Sequence, residues 1–149
     1  MADKNDLTTI VSFQLAMAKE TEDLHLDRET TTKGVFHVLE NPTLGEYLLA
    51  CSESSDGKST PVGCLLLLKE WSDWRNKEIL WVHSVYIDKN YRKQKIFTQM
   101  YDWVQEKART KEEIGGIRLY VSKKNLIAQK CYQELGMDNN HYELFEYLK

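Results

Sequence analysis

The chain has 149 residues and a mass of 17.5 kDa, the size of one ordinary domain. Hydrophobic residues make up 42% and charged residues 29%, which allows a buried core and excludes wholesale disorder. Lys plus Arg is 20 against 23 Asp plus Glu, and a net charge of −3 argues against general nucleic-acid binding, which needs a surplus of cations.

In chain order, Asp6 or Thr8 is placed to cap a first helix in which Ile10, Phe13 and Met17 recur at near-helical spacing. The polar stretch 20–25 interrupts that pattern. A second helix is expected after Asp27, with Val35, Val38 and Leu39 inward and Pro42 just past its end. Residues 46–52 read as a strand, followed by a turn over 52–60 that contains Asp56-Gly57. The continuous leucine run in 62–69 predicts a strand buried on both faces. Residues 71–77 read as a polar-aromatic connection and 79–87 as another strand. Phe97, Met100, Tyr101 and Val104 then form one helical stripe. Gly115-Gly116 reads as a break before a strand over 117–122. Ala128, Cys131, Tyr132 and Leu135 repeat the helical spacing, and Gly136 stands where a C′ glycine ends a helix. Residues 142–148 read as a final strand. The order α-α-β-β-β-α-β-α-β predicts a mixed α/β or α+β layer fold in one domain, 1–149. An additional strand ahead of the first helix would have to fit into the first few residues.

The longest uncharged apolar run, 62–68, is too short to span a membrane. Cys51, Cys64 and Cys131 are far apart and lack C-x-x-C spacing, so neither a disulfide framework nor a structural zinc site is expected. His25, His37, His83 and His141 likewise show no ligand spacing, so no metal is expected. The first residues contain no apolar h-region, and a reduced, cytoplasmic protein is expected.

The most informative stretch is 82–98. A β run ends, a short basic loop follows, and an amphipathic helix begins. A helix N-terminus offers unpaired N–H groups and the positive end of the macrodipole, which suits phosphate. Residues 89–95 hold four basic residues (Lys89, Arg92, Lys93, Lys95) and no acidic one. Removing those four from 20 leaves 16 basic against 23 acidic residues elsewhere. A basic loop of this kind is equally compatible with plain solvation. The division nonetheless suits an anionic cofactor on the loop and a cationic partner elsewhere.

This stretch resembles the acetyl-CoA signature of the GNAT superfamily of N-acetyltransferases, strand, then Arg/Gln-x-x-Gly-x-Gly/Ala, then helix. Here it reads Arg92-Lys93-Gln94-Lys95-Ile96-Phe97, with Lys95 and Phe97 where the family has small residues. Asn125, Ala128, Tyr132 and Gly136 match the family's next strand and helix at the same offsets. Glu20-Thr21-Glu22 and the segment 70–76 resemble small members related to diamine and polyamine acetyltransferases. The resemblance implies a central, mostly antiparallel twisted sheet with about four flanking helices and strands splayed at the cofactor site. It implies acetyl-CoA as cosubstrate, with the thioester carbonyl held by backbone N–H of Val85, Tyr86 and Ile87, a donor arrangement that stabilises an oxyanion. Arg92, Lys93, Gln94, Lys95, Ile96, Phe97 and Thr98 would contact the pyrophosphate. Asn125 would bond the cofactor arm or cap the last helix. Tyr132 would be the general acid to the CoA thiolate, unless it is only a core residue. His83 stands where polyamine relatives carry Glu and is the candidate base, with Glu20 and Glu22 as alternatives or as acceptor-binding carboxylates. Trp71, Trp74 and Arg75 would line the acceptor site or a homodimer interface. The expected activity is acetyl transfer to a primary amine of a small molecule by direct attack in a ternary complex. A peptide or protein N-acetyltransferase and a non-catalytic acyl-CoA-binding module are the alternatives, and neither nucleic acid nor membrane is an expected partner.

Overall fold

Short polar side chains set the first turns. In the computed structural model, which describes residues 1–147, the Asp3 carboxylate accepts from Asn5 N–H and Asp6 accepts from Asp3 N–H. That reciprocal box closes a 3₁₀ turn, Lys4–Asp6, ahead of α1 (Leu7–Glu22). No strand precedes it among the described residues, although Ala2 N–H donates to Tyr47 C=O at 2.9 Å. Helix α1 turns Ile10, Val11, Gln14 and Ala18 inward and ends at Asp23, which adopts a left-handed φ of 52°. Asp27 caps α2 (Arg28–Glu40) by accepting from Thr30 N–H at 2.8 Å.

The chain divides into two compact units, Met1–Arg118 and Leu119–Lys149. In the first, β1 (Gly45–Glu53), β2 (Ser59–Ser72) and β3 (Lys77–Ile87) form a meander, joined by β4 (Ile114–Leu119) in the order β1-β2-β3-β4. The β1–β2 and β2–β3 pairings are antiparallel. Helices α1 and α2 lie on one face, where Ile10, Val11, Val35, Tyr47 and Leu66 form a core cluster. Leu65, Leu67, Leu80 and Val82 alternate to the other face of the sheet and are also buried. Helix α3 (Ile96–Thr110) packs on β1 and β3 and buries Met100, Tyr101 and Val104. The result is the expected α+β fold, built on an open sheet. No helix among the described residues is long and apolar enough to cross a membrane.

Three expectations change. The connection expected over 71–77 shrinks to 73–76, because β2 continues to Ser72 and pairs it with Lys77. Gly115 and Gly116 are not a break but lie inside β4, where a Cβ on Gly115 would come within 3.0 Å of Lys77 Cβ. The strand expected over 142–148 is absent from the described residues 142–147, and Leu148 lies outside them. Tyr142 and Leu144 are exposed there. A period-two pattern sets faces but supplies no neighbouring strand.

The second unit contains α4 (Leu126–Glu134). Gly136, at φ 84°, ends it as expected: Gly136 N–H donates to Gln133 C=O and Met137 N–H to Tyr132 C=O, the two bonds of a Schellman motif.

Candidate active site

The site grows from an irregularity in β3. Cys64 pairs with Tyr86 and Leu66 with His83, so two residues, Ser84 and Val85, oppose Leu65 alone. Ser84 takes a left-handed φ of 50° to absorb the extra residue. Such a bulge re-aims the strand and is common beside active sites. Its neighbour is Gly63, where any Cβ would stand 2.8 Å from Tyr86 C=O. A glycine in a leucine-rich strand signals such an approach, a clue that periodicity alone overlooks. Strand β4 has six residues against eleven in β3, so part of that edge of β3 is without a β4 partner. Val85 closes the bulge, and Tyr86 and Ile87 follow it.

Beyond Ile87, Asp88 caps a single 3₁₀ turn, Lys89–Tyr91, by accepting from Asn90 N–H. Lys93 and Lys95 then both adopt left-handed backbone, at φ 63° and 58°. Lys95 is the N-cap of α3 and supplies no side-chain cap. The first helical bond runs from Gln99 N–H to Lys95 C=O, so the amides ahead of Gln99 point out of the helix start. The first turn carries no acidic residue. Lys93, Gln94 and Lys95 are exposed, and Ile96, Phe97 and Thr98 are half-buried. Backbone amides, a helix dipole and cations in this arrangement can hold an anion. Lys95 occupies a position that favours glycine, yet its backbone takes the shape that glycine would. The Phe97 ring stacks on Tyr101, one turn along, at 6.0 Å.

Arg92 and Glu20 meet across 72 residues of sequence. Arg92 Nη2 lies 2.5 Å from Glu20 Oε2, and Arg92 Nε donates to Ile87 C=O at 2.9 Å. Tyr86 O–H donates to Glu20 Oε1 at 3.0 Å. The Arg92 hydrogen bond holds the Glu20 carboxyl below its ordinary value. Burial and then the Glu20 bond push Tyr86 up to about 12. Glu22 closes α1 two residues later and is exposed, on a different side of the helix.

His83 immediately precedes the bulge, half-buried, and burial pushes its pKa below 6.5. It is therefore neutral at neutral pH. Directly paired residues share a face, so His83 lies on the face of Leu66, with α1. The Trp81 ring is 6.1 Å from the His83 ring, and Trp81 Nε1 donates to Glu70 Oε2 at 2.7 Å. Arg118 reaches the other Glu70 oxygen at 3.1 Å. This Glu70–Trp81–Arg118 group escaped the sequence reading, although the i, i+2 spacing of Trp81 and His83 already put them on one face. Trp74, 88% exposed, lies in the 73–76 turn at the opposite end of β3 from the bulge, about 20 Å of strand away. Asn125 caps α4 by accepting from Ala128 N–H at 3.1 Å. Tyr132 lies on α4, half-buried, with its pKa raised by burial.

A strand with a bulge, a left-handed basic loop and an open helix start follow one another along the chain, an arrangement suited to an anion. The comparisons give its family. Residues 11–137 match the acetyltransferase (GNAT) family, and the chain belongs to it. A possible acetyltransferase from Clostridium difficile 630 is similar at 38% identity and a TM-score of 0.89, covering 99% of this chain and 94% of that one. A predicted acetyltransferase with acetyl-CoA from Clostridium acetobutylicum shares the fold at 19% identity and a TM-score of 0.74, over 97% and 92% of the two chains. A ribosomal-protein-alanine N-acetyltransferase from Brucella melitensis biovar Abortus 2308 does so at 14% identity and 0.75, over 99% and 96%. The comparison with curated proteins finds no match.

Proposed function

We propose that this chain transfers the acetyl group of acetyl-CoA to a primary amine of a small molecule. The observation that carries the reading is the continuous run from the Ser84 bulge through left-handed Lys93 and Lys95 into the acid-free start of α3. Those elements fit the donor's two demands: amides and cations for its phosphates, and a re-aimed strand for its acyl end. Amides of 95–98 hold the pyrophosphate, with Lys93 and Lys95 supplying charge. Backbone N–H groups of 85–87 polarise the thioester carbonyl as negative charge develops on its oxygen.

His83 accepts the proton that the ammonium must lose before its nitrogen attacks the carbonyl carbon. Its lowered pKa keeps it in the accepting form. When the C–S bond breaks, Tyr132 donates its phenolic proton to the leaving sulfur. Its raised pKa keeps that proton available through neutral pH. The acidic surface outside the loop, with Glu22 at the end of α1, favours a cationic acceptor.

The test is acetyl-CoA-dependent thiol release against a panel of diamines, polyamines and amino-acid amines beside N-terminal peptides. Turnover on small amines is the expected result. Turnover on peptides alone would assign a peptide N-acetyltransferase, and acetyl-CoA binding with no turnover on any acceptor would contradict the catalytic reading.

A further inference from the structure

Glu20 is a natural candidate for gripping a cationic acceptor, but both of its carboxylate oxygens are already engaged. One meets Arg92 Nη2 at 2.5 Å and the other accepts from Tyr86 O–H at 3.0 Å. Arg92 in turn donates through Nε to Ile87 C=O, and its guanidinium lies 5.6 Å from the Tyr86 ring centroid. The Tyr86 ring packs on Phe13 of α1 at 5.4 Å. Arg92 therefore ties both ends of the loop, Ile87 and itself, to the end of α1. The residues so clamped run directly into left-handed Lys93 and Lys95.

We propose that Glu20 is a positioning residue for the donor loop, acting through Arg92 and Tyr86, rather than an acceptor-binding carboxylate. The proposal rests on the acetyl-CoA reading above. Without Glu20, Arg92 keeps its bond to Ile87 and its place over the Tyr86 ring, but the loop loses its hydrogen-bonded attachment to α1. The consequence is opposite in sign to the simple charge effect. Deleting a negative charge beside a polyanion's site tightens binding if only the field matters. Deleting a clamp loosens it. Asp88 and Lys89 also face this group, and both stay in place in the variants below.

The experiment is calorimetric titration of acetyl-CoA into the full chain and into Glu20→Gln, Tyr86→Phe, Arg92→Gln and the Glu20→Gln/Arg92→Gln pair, with thermal melts to establish folding. Expected are a Kd for acetyl-CoA raised about three- to five-fold in Glu20→Gln, a smaller rise in Tyr86→Phe, and a double variant no weaker than Arg92→Gln alone. The KM for the acceptor amine stays within about two-fold of the parent. Tighter or unchanged acetyl-CoA binding in Glu20→Gln, or a rise confined to the acceptor KM, overturns the proposal. Should Glu20→Gln fail to fold, Tyr86→Phe decides alone, because it removes one of the two bonds and leaves the charge. Failure of the parent chain to bind acetyl-CoA would instead overturn the functional reading itself.

Discussion

At the residue scale, His83 in β3 and Glu20 in α1 illustrate how environment fixes chemistry. His83 is held neutral by burial, so the acidic limb of the pH–rate profile should fall below the ordinary histidine value of 6.5. His83→Gln should remove that limb and lower kcat by about a hundred-fold or more, and an unchanged limb would exclude His83 as base. Glu20 shifts the same way for another reason. Its folded value is depressed by Arg92, so the pair's contribution is complete above the ordinary value of 4.5 and is lost as pH falls through the folded value. The donor affinity of the parent should weaken in that acid window, and that of Glu20→Gln should not. His83 was legible from its place in the strand and from the family resemblance. The Glu20–Arg92 pair was not, because no local pattern links residues 72 positions apart.

At the element scale, caps and glycines were legible and extents were not. Asp27 and Gly136 do what their sequence positions predict. Asp27→Ala should cost about 1 kcal/mol of stability in denaturant melts, since Thr30 N–H loses its acceptor. The strands ran longer than expected at the β2–β3 turn, because cross-strand bonding continues through polar and aromatic residues that carry no apolar alternation. The bulge was invisible to periodicity, and only Gly63 hinted at it. Gly63→Ala should cost about 1–3 kcal/mol and weaken acetyl-CoA binding together, because the new methyl meets the Tyr86 carbonyl oxygen at 2.8 Å, which cannot move aside as the Ile87 side chain at 2.5 Å can. A variant that loses stability but binds the donor as tightly would dissociate the bulge from the site. The family's glycine at the loop is a statement about φ: Lys95 satisfies it at 58°, at a strain of about 1–2 kcal/mol.

At the scale of the whole molecule, a net charge of −3 conceals a division of labour. The four cations of 89–95 lie in the segment that leads into α3, and the acidic excess lies elsewhere in the sequence. That arrangement concerns association rather than folding, so donor affinity should fall as salt is raised while the melting temperature changes little. The fold class was legible because helices and strands follow one another at characteristic spacing. The acceptor was not, since one fold serves many acceptors. The central claim is that the start of α3 holds the donor by its phosphates. The most direct test titrates the parent chain with acetyl-CoA and, separately, with S-acetylpantetheine, which has the same thioester and no phosphate. Micromolar binding of acetyl-CoA with S-acetylpantetheine at least about ten-fold weaker is the predicted result. Equal affinity for the two would contradict it.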